Sequence, residues 1–98
     1  MPRLAIALTD GFDGDAVVVT VNGVEAFRGD RVTTLTQIGL ADSFEVDVPD
    51  GPSVVEVDVE SRGARARFDV DPVTQPNVAV SLRGDRLDAA YPEVLGFL

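Results

Sequence analysis

The chain contains no cysteine, no histidine, no lysine and no tryptophan. Without cysteine there is neither a disulfide frame nor a thiolate metal site, and the redox compartment leaves no mark on the sequence. Without histidine, cysteine or lysine, a serine or threonine lacks its usual general base, and only aspartate and glutamate remain to move protons. Glycine-rich phosphate loops, zinc-ligand spacings and nucleophile elbows are missing too. A carboxylate pair of the glycosidase kind is still permitted by the composition, but it needs a substrate cleft that a sandwich of roughly one hundred residues seldom provides. The expectation is a protein that is not an enzyme.

Positive charge is scarce as well. Eight arginines stand against seventeen acids, for a net charge of −9. A surface of that sign repels phosphate backbones and anionic membranes, so nucleic acid and membrane are excluded as expected partners, whereas cations and basic proteins are attracted. The lack of lysine beside abundant Asp, Val and Ala fits either a GC-rich genome or a high-salt habitat. Long hydrophobic runs are also absent. The apolar run Leu4 to Leu8 is too short for a secretory signal core and is followed by Asp10, Asp13 and Asp15. No segment is long and apolar enough for a membrane helix. A cytoplasmic location is the default expectation, and an excised domain of an exported protein reads the same way.

What the chain does have is valine, alternation and turns. At 98 residues and 45% hydrophobic content it predicts one domain spanning residues 1–98, with a core large enough to fold alone. Apolar residues alternate with polar ones between closely spaced turn formers, which is the period of half-buried strands, and no helical stripe appears. Strands are predicted at Arg3–Leu8, Ala16–Val21, Val24–Arg28, Val32–Ile38, Phe44–Val48, Val55–Glu60, Ala64–Val70, Asn77–Arg83 and Arg86–Tyr91.

Asn22-Gly23 is the strongest hairpin signal, because both turn positions need positive φ; a two-residue loop there sets Val19 opposite Ala26 and Val18 opposite Phe27. Gly29-Asp30 is expected to break the following strand. Ser61-Arg62-Gly63 predicts Val59 opposite Ala64, Asp58 opposite Arg65 and Glu56 opposite Arg67. Gly84-Asp85 predicts Leu82 opposite Leu87, Val80 opposite Ala89 and Val78 opposite Tyr91. Regular short strands with such turns predict an all-β, two-sheet antiparallel β-sandwich of about 7–9 strands.

Three features are candidate sites. The first is an acidic strand pair: Glu45, Asp47, Glu56, Asp58 and Glu60 project away from the valines, either as a dock for a cation or basic partner, or as a solvated face balanced by Arg65 and Arg67. The second is the loop Asp10-Gly11-Phe12-Asp13-Gly14-Asp15. Its carboxylates at Asp10, Asp13 and Asp15 are either oxygen ligands for Ca²⁺, the one metal cofactor the composition suggests, or part of an exposed turn that suits Asp and Gly. The spacing is not that of an EF-hand. The third is the apolar tail, with Tyr91, Val94, Leu95, Phe97 and Leu98 as a candidate partner-binding segment that either folds back over the sandwich or docks on a protein partner or a second copy.

The run Val19-Thr20-Val21-Asn22-Gly23-Val24, followed by Ser43-Phe44-Glu45-Val46-Asp47-Val48-Pro49-Asp50-Gly51-Pro52, resembles the small prealbumin-like or carboxypeptidase-regulatory-like sandwiches, in which a V-x-V-N-G strand and an F-x-V-x-V-P-x-G hairpin recur. The resemblance spans roughly residues 16 to 60 and implies an immunoglobulin-like sandwich. The same segment is similar to calcium-assisted carbohydrate-binding modules, which implies an ion near Asp10, Asp13 and Asp15. Those modules present aromatic rings for sugar stacking, whereas here there is no Trp and one Tyr. The expected function is a non-catalytic interaction or structural module, self-associating through an edge strand or the tail, with a Ca²⁺-assisted carbohydrate- or ligand-binding module as the alternative.

Overall fold

Valine at every second position builds the interior. In the computed structural model, which describes residues 2–93, nine of the twelve largest fully buried side chains are valines. β-branched residues lose little by lying on a pleated surface, and alternation sends each one to the same face. The strands are β1 (Arg3–Leu8), β2 (Asp15–Val21), β3 (Val24–Val32), β4 (Asp42–Asp47), β5 (Ser53–Val59), β6 (Ala64–Val70), β7 (Asn77–Arg83) and β8 (Arg86–Ala90). They form two four-stranded sheets, ordered β4-β1-β7-β8 and β3-β2-β5-β6. Leu4, Ile6 and Leu8 of β1, with Val78, Val80 and Leu82 of β7, face Val17, Val19 and Val21 of β2 and Val55, Val57 and Val59 of β5. Each such side chain contributes about 1.5–3 kcal/mol by leaving water. The protein is an all-β sandwich. Its neighbouring strands run antiparallel except β1 and β7, which run parallel, with Ile6 beside Val78 and Leu8 beside Val80.

Several expectations are corrected. No strand runs from Val32 to Ile38. The chain leaves β3 at Val32, and Leu35 and Leu40 close a tight turn through a single bridge. The threonines that suggested a strand use their side chains on the Asp10–Gly14 loop instead: the Thr34 hydroxyl accepts from the Phe12 N–H at 3.0 Å and the Thr33 hydroxyl from the Gly14 N–H at 2.9 Å. Gly29-Asp30 does not end β3 either. It lies within the strand, where a Cβ on Gly29 would meet Val32 Cγ2 at 2.6 Å, so the glycine answers a packing demand.

The Asn22-Gly23 hairpin forms, with φ of 53° and 80° at its two residues. Its register, however, slips between Val19 and Thr20, so that Val19 faces Phe27 and Val18 faces Arg28. The slip is a β-bulge, one extra residue on β3 that period-two alternation cannot reveal. The hairpin between β5 and β6 has the expected register throughout. So does that between β7 and β8, up to Ala79 opposite Ala90, where the ladder stops short of Val78 and Tyr91. Finally, Phe44–Val48 and Val55–Glu60 are not a strand pair: β4 belongs to one sheet and β5 to the other. The Pro49–Pro52 connection carries the chain across the sandwich instead of closing a hairpin.

Candidate functional site

Asp15 occupies an inward position, in phase with Val17, Val19 and Val21. A carboxylate there is tolerable only if its charge and lone pairs are met. They are. Oδ1 accepts from Ser61 Oγ at 2.8 Å and from Arg62 Nε at 3.0 Å, and Oδ2 accepts from the Asp13 N–H at 2.9 Å. Burial alone would push the Asp15 carboxyl up, but the hydrogen bonds from Asp13, Ser61 and Arg62, with the guanidinium charge, outweigh it and hold the group below its ordinary value.

Arg62 reaches further. It sits in the 3₁₀ turn Glu60–Arg62 that joins β5 to β6. Its Nη1 donates to Gly84 O at 3.2 Å and its Nη2 to Gly11 O at 3.3 Å. One side chain therefore ties together the starts of β2 and β6, the loop after β1 and the β7–β8 turn, closing that end of the sandwich across both sheets. The loop after β1 is fixed independently by Asp10 O accepting from the Leu82 N–H at 2.8 Å, and Phe12 within it is buried.

This arrangement decides what the aspartate loop can do chemically. Asp10 and Asp13 are exposed while Asp15 turns inward to Arg62. The loop does not bring the three acids together, and no cluster of three metal-ligating side chains exists among the described residues. The positive charge at Asp15 is supplied by the protein itself. Ser61 and Asp15 are also a weak nucleophile–base couple, because a carboxylate held below its usual pKa is a poor base and Ser61 Oγ already accepts from the Ala16 N–H at 3.2 Å.

Neighbouring strands meet part of the acidity of the outer faces. Arg3 of β1 reaches Glu45 and Asp47 of β4 at 3.2 and 3.4 Å, and Arg65 reaches Asp58 at 3.0 Å. Glu56 and Arg67 stand opposite each other in register without closing to an ion pair. Comparison with known families, curated proteins and solved structures finds no match to this chain.

Two kinds of surface remain. At the end opposite Arg62, a cleft of about 270 Å³ opens between β3 and β4, floored by Val21, Ala26, Val46 and Val48 and rimmed by Glu25 and Asp47. Val24 forms its lip, 69% exposed, and deeper in the seam the rings of Phe27 and Phe44 stack at 5.1 Å. The other kind is the edge strands themselves, β4 and β8 in one sheet and β3 and β6 in the other. Of the tail residues, Tyr91 is 39% exposed, and the Asn77 side-chain amide donates to the carbonyls of Pro92 and Glu93 at 3.3 and 2.7 Å. Val94, Leu95, Phe97 and Leu98 lie outside the described residues.

Proposed function

We propose that the chain is a non-catalytic interaction module that works by self-association along a sheet edge. The observation that carries this reading is where the unpartnered groups are. Every buried polar side-chain atom among the described residues has a partner, and the best candidate for chemistry, Asp15 with Ser61, is locked by Arg62. The sheets, in contrast, end in strands to whose outer edge no strand is hydrogen-bonded among the described residues, and pairing such edges between chains is a direct route to a dimer.

Light scattering across a concentration series tests the proposal. The expected mass is twice the 10.4 kDa of the chain, and a dimer is expected likewise after deletion of Val94 to Leu98, because the edge and not the tail carries the contact. A monomer at all concentrations would overturn the proposal. Dissociation by the deletion alone would move the contact to the tail.

A further inference from the structure

The four edge strands are not equivalent. β3 carries two register shifts, and β8 is only five residues long. β4 presents Asp42, Glu45 and Asp47, all of one sign. Bulges, shortness and like charges are all devices that keep an edge from pairing. β6 has none of them: it is seven residues long and pairs with β5 without a shift from Ala64 to Val70.

Its charges are mixed and ordered. Arg65, Arg67 and Asp69 project outward along β6, and Asp71 follows at the strand's end. Most arginines of the chain, Arg65 with Asp58 among them, lie within ion-pair distance of an acid, whereas Arg67, Asp69 and Asp71 make no ion pair among the described residues, and Asp71 Oδ1 accepts from the Val73 N–H at 3.0 Å. On the inward side of the same strand Phe68, a large apolar ring, is only partly buried against the core.

Resting on the self-association proposed above, we infer that β6 pairs antiparallel with β6 of a second copy about a two-fold axis at Phe68. In that register Arg67 faces the partner's Asp69, Arg65 faces the partner's Asp71, Ala66 faces the partner's Val70, and the two Phe68 rings meet. Two-fold symmetry doubles each charged pair. The alternatives that keep inward residues opposite inward residues fail on charge. A centre at Arg67 sets two arginines face to face, and a centre at Asp69 sets two aspartates face to face, which is destabilising in directly opposed positions. Only the Phe68 centre matches every arginine of the strand to an acid while setting the two partly buried rings opposite each other. The product is one continuous eight-stranded sheet built from the two four-stranded ones.

The test is charge exchange in the full-length chain, read by sedimentation and light scattering. Asp69→Arg places arginine against arginine in the proposed register, and inside its own chain the residue faces only Val54. It also moves the net charge of −9 two units toward zero, so long-range repulsion predicts tighter association and the register predicts looser. Arg67→Asp is made together with Glu56→Gln, which removes the carboxylate it would otherwise face, and Glu56→Gln alone serves as the control. The expected result is a dimeric wild type and control, each charge variant monomeric with its Kd raised about tenfold or more, and a dimer restored in the equimolar mixture. Asp69→Asn, which loses attraction without adding repulsion or bulk, is expected to fall between, so the inference stays testable should a reversal variant fold poorly. A dimeric wild type whose mass is untouched by all of these variants would overturn the register and leave self-association standing. A monomeric wild type would overturn both.

Discussion

Two residues hold the closed end of the sandwich, and they do so by different physics. Asp15 is 3% exposed and Arg62 is its only charged partner among the described residues. Removing one member of such a pair leaves the other without its counter-charge, so Asp15→Ala is expected to cost about 3 kcal/mol, measured by denaturant unfolding. The pH dependence has a definite sign. Because the native carboxyl is held below its ordinary 3.8, its stabilisation is complete above the unfolded value and is lost as pH falls through the native one. The gap in melting temperature between wild type and Asp15→Asn is expected to stay constant from neutral pH down to that unfolded value, then to narrow below it; a gap that widens in acid would contradict the assignment. Gly11 acts through space: its φ is +92°, and a Cβ there would sit 1.7 Å from Leu82 O. Gly11→Ala is therefore expected to destabilise by at least about 2 kcal/mol, seen as a lowered urea midpoint. Because Arg62 already neutralises Asp15, millimolar Ca²⁺ is expected to leave the melt unchanged relative to chelator. A rise of several degrees would restore the aspartate loop as an ion site.

At the scale of the element, what could be read in advance was whatever depends on neighbours in sequence. The β5–β6 register was legible because alternation on both sides and the Gly63 turn agree, and Gly63 does take a φ of 64°. The Gly84-Asp85 hairpin was legible for the same reason. The bulge opposite Val19 was not, since one inserted residue leaves both flanking patterns intact. Nor was the division of β4 and β5 between sheets, because two alternating strands look alike whether they pair or face each other across a core. The threonines after Val32 misled for a physical reason, their hydroxyls serving as hydrogen-bond acceptors for the Asp10–Gly14 loop in place of a ladder. One signal for Asp15 was present and unused. Its odd number puts it in phase with the inward valines of β2, and an acid in that phase demands a buried partner, although nothing local says that Arg62, 47 residues on, supplies it.

For the whole molecule, the acidity that dominates the composition is met only in part within the fold: six of the seventeen acids stand in ion pairs among the described residues. Ion pairs run along both outer faces and one crosses the closed end, while Arg67, Asp69 and Asp71, which make no ion pair among the described residues, follow one another along β6 and its end. The central proposal is that this edge is the functional surface. Amide hydrogen exchange followed as the protein is diluted tests it most directly, because outer-edge amides are protected only while a partner strand covers them. Loss of protection confined to β6 on dilution, with β3, β4 and β8 unchanged, is the predicted result. Protection of β6 that does not vary with concentration, or a loss that falls on another edge, would contradict it.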